Sequence, residues 1–426
     1  MLKKYFHYSN FPEYDPNVLK HNLLMHLGDG SMYAFALSFI SFSTILPVFI
    51  QRMGGDAVAI GAVPVLWNLG ASLPQLFLGQ QKSNEKFVKP AIVRYSVLYR
   101  SSFLFTALFI YLILKHIPVS FSVPIALLLI LMITVLGSVP GPRWVNLFSK
   151  TTPVKLRGRL LAVRQLVGAL LGILAGSIII VILSSISFPQ NFAVLFFLCF
   201  IFMFVSLYFL KEVIEPEENI SEDIIITKIR RFDKAKQVLK ENKNFRNYLL
   251  ADGLLLIGLT SSAFFAVYAI ERFKLPTSYA GSFTIIFMAS TVLGNIIFGY
   301  LADIFGHKIN LMIMAAVLLL ASLSAIVAIN PLIFGSVFFF FALAQSIQGI
   351  SRVAFVVELS GEKDRTLYAS LLNSITAPAL LFGIIAGFII SIIGYPIVFL
   401  IYIFISGFTI YWLYKKVDEP RNKIVE

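Results

Sequence analysis

The chain reads as an all-α integral membrane protein of twelve transmembrane helices in two pseudo-symmetric six-helix bundles, and three observations carry that reading. Of its 426 residues 58% are hydrophobic and only 13% charged, with a mean hydropathy of +0.84. A soluble chain of this length needs far more polar surface. Twelve uninterrupted apolar runs, at 31–50, 57–79, 91–114, 119–142, 160–184, 192–210, 247–270, 277–302, 309–329, 332–355, 367–390 and 395–414, come next. Each is close to the roughly 20 residues a helix needs to cross a hydrocarbon core of about 30 Å. They lack the alternation of barrel strands. The third observation is where the charge falls. With both termini cytoplasmic, the outside loops keep only Arg52, Lys115, Arg272 and Lys274 of the 35 basic residues, and Arg100 lies within a span. That is the positive-inside pattern, so the net charge of +13 reflects topology, with some attraction to anionic lipid, and not nucleic-acid binding.

The expected organisation is a first bundle over 1–210, a charged cytoplasmic linker over 211–246, and a second bundle with its tail over 247–426. The first 22 residues are polar and aromatic, so no signal peptide is expected. Asp29-Gly30 opens the first span, and Asp29 reads as a helix N-terminal cap. In the second span Gly61 and Gly79 are 18 residues apart. Arg100 in the third span is followed by too short an apolar run to cross alone, so its head is expected to snorkel to the cytoplasmic surface. Pro140-Gly141-Pro142 ends the fourth span abruptly, because proline cannot donate to the helix ladder. Arg157, Gly158 and Arg159 then lead into the fifth span, as headgroup anchors or as charges pairing across an inside gate. Gly168, Gly172 and Gly176 repeat every four residues on one helix face and predict a close helix–helix seam along which the two halves rock. Cys199 stands alone in the sixth span, so no disulfide is expected.

The second half repeats these features in order. Asp252-Gly253 opens the seventh span, again as a cap, Gly281 and Gly299 are 18 apart in the eighth, and Gly383 and Gly387 answer Gly172 and Gly176. Three pairs in the same order predict a duplicated fold. Between the eighth and ninth spans stands Gly299–Lys308, GYLADIFGHK. Its Gly299, Leu301, Ala302, Asp303, Gly306 and Lys308 resemble the loop signature of the major facilitator superfamily, with departures at Ile304 and His307. The equivalent first-half loop, 79–89, keeps the glycine but has Ser83 where the aspartate would stand. The stretches from Pro142-Arg143-Trp144 through Arg164-Gln165 and from Arg365 through Ser374 resemble a prokaryotic subgroup of that superfamily.

The resemblance implies transport by alternating access, with Asp303 locking an inside gate near the start of helix 11, where Arg365 offers a partner. It also implies a cavity lined by helices 1, 4, 7 and 10. Their central polar groups are Ser41, Ser43, Thr44, Thr134, Thr260, Ser261, Ser262 and Gln345, with Trp67-Asn68 and Asn373 alongside. Hydroxyls and amides among aromatics suit a small neutral or amphipathic solute. Drug–proton antiporters are disfavoured, because the glycine-proline pattern of helix 5 and the arginine of helix 4 are missing. Export of drugs or lipids, and a non-transporting sensor built on the same fold, remain alternatives. No nucleophile–base pair or metal cluster is seen, so the protein is not expected to be an enzyme. Very short outside loops also argue against a membrane glycosyltransferase. No cofactor or nucleic acid is expected. The expected partners are the lipid bilayer, a small-molecule substrate and a proton or other coupling ion. The expected form is a monomer in the cytoplasmic membrane.

Overall fold

The computed structural model describes residues 11, 13–78, 86–217, 228–360 and 364–423. In chain order the helices are α1 (Pro16–Ser38), α2 (Leu46–Arg52), α3 (Ala57–Leu78), α4 (Lys89–Leu112), α5 (Val119–Ser138), α6 (Gly141–Thr151), α7 (Val154–Ser185), α8 (Gln190–Glu212), α9 (Lys228–Glu241), α10 (Lys243–Leu259), α11 (Ser262–Phe273), α12 (Tyr279–Phe305), α13 (His307–Val327), α14 (Pro331–Leu359), α15 (Arg365–Thr376), α16 (Phe382–Ile393) and α17 (Tyr395–Lys416). No strand occurs among the described residues. Among the described residues ten helical stretches are long and apolar enough to cross a membrane. The first span (α1 with α2) and the second (α3) complete the twelve.

The start of the first span differs from the expectation. The helix begins at Pro16 and not near residue 31, because Asp15 accepts hydrogen bonds from Asn17 N (2.7 Å) and Val18 N and caps it. His21, Asn22 and His26 lower the hydropathy of this stretch, yet all three are bonded inside the protein. His21 reaches the Glu212 carbonyl, Asn22 the backbone of Ile214, and His26 the Thr151 hydroxyl. Asp29 therefore lies mid-helix and is no cap, and the same is true of Asp252 in α10. There Asn242 caps the helix, accepting from Phe245 N.

Four spans are built from two helices each, and local chemistry explains the breaks. In the seventh span Thr260 and Ser261 turn their hydroxyls back onto the Ile257 and Gly258 carbonyls, interrupting the ladder. Pro140 and Pro142 divide α5 from α6, and Pro378 sits in the 3₁₀ turn Ala377–Leu381 between α15 and α16. The first span is broken over Phe39–Ile45, around Ser41, Ser43 and Thr44.

Two compact units result. The first gathers the described residues of Met1–Ser41 and Leu66–Glu222, the second those of Phe42–Val65 and Asp223–Glu426. In the first, α1 packs along α7 and α8, and α4 lies along α8; in the second, α13 lies along α14 and α17. Gly168 faces Ala34 of α1, where an added Cβ would come within 2.6 Å of the alanine methyl. Gly172 and Gly176 are buried on the same helix. In the second unit Gly61 meets the Gly383 backbone, and Gly387 meets the Ala57 carbonyl, so closely that neither glycine has room for a Cβ. These glycines thus make close helix–helix contacts inside each unit.

The internal repeat reaches further than glycines and aspartates. Val213-Ile214-Glu215-Pro216 follows α8, and Val417-Asp418-Glu419-Pro420 follows α17. Asn22 exchanges two hydrogen bonds with Ile214 (2.8 and 2.9 Å), and Asn244 exchanges the same two with Asp418 (2.8 and 2.9 Å). Glu215 accepts from Val88 N and Lys89 N at the start of α4, and Glu419 accepts from Lys308 N at the start of α13. Each carboxylate satisfies orphan donors at a helix N-terminus and opposes its dipole.

Candidate functional site

The densest polar cluster of the first unit is centred on Asp29, only 3% exposed in the middle of α1. Ser206 of α8 donates to Asp29 Oδ1 at 2.7 Å. Arg100 of α4 approaches the same oxygen at 3.5 Å and also donates to Ser206 Oγ at 3.0 Å. Arg164 of α7 reaches Asp29 Oδ2 at 3.4 Å, its guanidinium lying 4.7 Å from the centre of the Trp144 ring. Gly30 makes this approach possible, since a Cβ there would collide with the Arg164 guanidinium. Tyr33 and Tyr99 share a hydrogen bond of 3.0 Å beside the cluster. Arg100 is 3% exposed. The snorkelling expectation is thereby overturned: its head turns into the bundle, where a carboxylate and a hydroxyl receive it. Asp29, Arg100 and Arg164 border a cavity of about 250 Å³ that also touches Ile92, Ser96, Trp144 and Leu210.

The equivalent cluster of the second unit is built differently. Asp252 is 1% exposed and takes Arg352 of α14 in a bidentate pair, both bonds 2.8 Å. Arg352 further donates to Asn373 Oδ1 (2.9 Å) and Thr376 Oγ (3.1 Å) of α15, and the Tyr248 hydroxyl donates to the Arg352 carbonyl. Of the predicted binding residues, Asn373 is drawn into this ion-pair network.

The others fall at helix breaks and packing contacts. Ser41 and Thr44 lie buried in the break of the first span, with Thr44 hydrogen-bonded to Thr284 at 2.7 Å. Thr260 and Ser261 form the break of the seventh, with Thr260 also bonded to the Tyr402 hydroxyl at 2.9 Å. Thr134 Oγ lies 2.9 Å from the Leu131 carbonyl and 3.2 Å from that of Leu66 on α3. Asn68 and Gln345 are half-buried.

At the Gly299–Lys308 loop, Gly306 adopts φ +81° and separates α12 from α13. Lys308 Nζ reaches the Tyr414 carbonyl. Asp303 is exposed, and Arg421 donates to its carbonyl (3.1 Å) and to that of Ala302 (2.9 Å) while pairing with Glu358 at 2.7 Å. Arg365 begins α15 on the surface. Arg157 donates to the Ser149 and Thr152 carbonyls at the end of α6, whereas Gly158 and Arg159 are exposed. Residues 79–85 of the first-half loop lie outside the described residues. Arg352, Glu215 and Glu419 were not singled out from sequence, and Arg164 was noted there at the start of the fifth span but not as a partner of Asp29. The repeated Val-x-Glu-Pro would have revealed the last two.

Among solved structures, the nucleoside transporter NupG in a point-mutant form matches with a TM-score of 0.71 at 16% identity, covering 93% of this chain and 100% of that one. A D-xylose–proton symporter matches at 0.69 and 15%, covering 94% and 98%. Residues 253–426 match the Major Facilitator Superfamily family. The second half of the chain is thus similar in sequence to the Major Facilitator Superfamily. The chain also matches the family described as Vacuole effluxer Atg22 like over residues 149–337. A bacterial homologue of the human lysosomal transporter Spinster, inward-facing and unoccupied, shares its fold at a TM-score of 0.60 and 13% identity, covering 94% and 96%. No curated protein sequence matches it.

Proposed function

We propose that this protein is a major facilitator superfamily member, a secondary active or facilitative transporter that carries a small neutral or amphipathic organic solute by alternating access. The observation that carries the reading is the pair of breaks in the first and seventh spans, at Ser41–Thr44 and Thr260–Ser261. Irregular backbone at membrane depth is tolerated only where it is buried in protein or lines an aqueous cavity, and transporters place their substrate sites at such broken helices. Hydroxyl groups at these positions suit a polyhydroxylated solute, and nucleoside and D-xylose, in the names of two similar structures, are of that chemical kind. In this reading Gly299, Asp303, Gly306, Lys308 and Arg365 are gating residues, as are Arg157, Gly158 and Arg159. The protein works as a monomer in the cytoplasmic membrane with both termini inside, coupled to protons or another ion. Efflux is the favoured direction of a second reading, supported by the match to the vacuole effluxer family.

The test is counterflow of labelled nucleosides, pentoses and amino acids in proteoliposomes at two pH values. Saturable exchange of one class is expected, reduced at least tenfold by Thr260→Val while the thermal midpoint stays within a few degrees. Absence of saturable flux for every class would point to the non-transporting sensor instead.

A further inference from the structure

We propose that the cavity beside Asp29 is a binding site for a small monocarboxylate, gripped by Arg100 and Arg164. Two guanidiniums face one carboxylate in a buried setting, so the cluster carries one positive charge in excess. Such charges are costly at membrane depth and are normally paired. Asp29 receives only one long contact from each arginine, at 3.5 and 3.4 Å. Arg100 Nε and Nη1 and Arg164 Nη1 are buried with no hydrogen-bond partner among the described residues. The repeat supplies the contrast: Asp252 and Arg352 match one for one, both bonds 2.8 Å, and leave no excess charge.

A monoanion brings what the first unit lacks, one negative charge and lone pairs for three N–H-bearing nitrogens. Guanidinium forks fit the planar carboxylate. The cavity of about 250 Å³ is smaller than the about 300–1,000 Å³ of drug-sized sites, so the ligand is short. Ile92, Trp144 and Leu210 give it an apolar wall, which favours an organic acid over an inorganic anion. The site lies within one unit and stands whether or not the protein transports a neutral solute.

The test uses the purified full-length protein in detergent, with thermal unfolding and calorimetric titration at constant ionic strength. Sodium butyrate and benzoate are compared with butyramide, chloride and phosphate. The carboxylates are expected to raise the midpoint and butyramide to leave it unchanged. Arg100→Gln and Arg164→Gln should each weaken butyrate binding by about tenfold or more, as expected when one partner of a buried charge pair is removed. Two further variants decide the matter if the arginine variants fail to fold. Ser96→Leu fills the cavity without touching a charge and should abolish binding. Asp29→Asn removes the competing carboxylate and should tighten it. No carboxylate-dependent shift, an equal shift with chloride or phosphate, or a shift that survives Ser96→Leu would each overturn the proposal.

Discussion

Gly30 and Gly253 follow equivalent aspartates and read alike in the sequence, yet they do different work. Gly30 clears the path of Arg164 across α1, whereas the nearest atom to a Cβ on Gly253 is the Ala379 methyl at 3.9 Å. Gly30→Ala should therefore destabilise by about 1–3 kcal/mol through overpacking. Gly253→Ala should be neutral or stabilise by up to about 1 kcal/mol from helix propensity. Thermal midpoints of the two variants, side by side, check this. At the neighbouring pair, Arg352→Ala leaves Asp252 buried without its partner and should cost about 3–5 kcal/mol. Arg352→Lys should recover only part of that, because an ammonium does not reproduce the bidentate fork. The aspartates were legible through their repetition. Their role was not, because Arg352 lies 100 positions from Asp252 and no periodicity ties the two.

Among the elements, the spans with unbroken apolar runs were read nearly to their ends, and the broken ones were not. Hydropathy averages across Thr260-Ser261 or Ala377–Leu381 without registering that the ladder is interrupted. It also misplaced the start of α1, because a polar side chain satisfied inside a protein counts the same as one in water. The two Val-x-Glu-Pro segments show the opposite case, a legible repeat whose meaning needed the structure. Replacing Glu419 with alanine exposes the Lys308 amide, and hydrogen bonds to charged groups are worth about 1.5–3 kcal/mol. Exchange of that amide with deuterium should accelerate by about tenfold or more. Unchanged exchange would mean that the α13 terminus is held by other contacts. Glu215→Ala should do the same at Lys89.

In the whole molecule, the compact units do not coincide with contiguous halves of the chain. Phe42–Val65 belongs with Asp223–Glu426, and the backbone contacts of Gly61 and Ala57 with Gly383 and Gly387 are lost if the chain is cut in the linker. A fragment of residues 223–426 should be unstable when purified alone and rescued by co-expression with residues 1–222. A fragment that unfolds at the full-length temperature by itself would contradict this. The duplication was visible in glycine spacing, but this exchange of a segment was not, since nothing local distinguishes Val65 from Leu66. The tie between Asn22 and Ile214 also constrains how the protein is made. α1 carries Asn22, His26 and Asp29, whose partners lie at residues 100–214. On the ribosome it emerges long before any of them. α1 is thus expected to be among the last helices of its bundle to settle, its polar face without these partners until the sixth span has been synthesised.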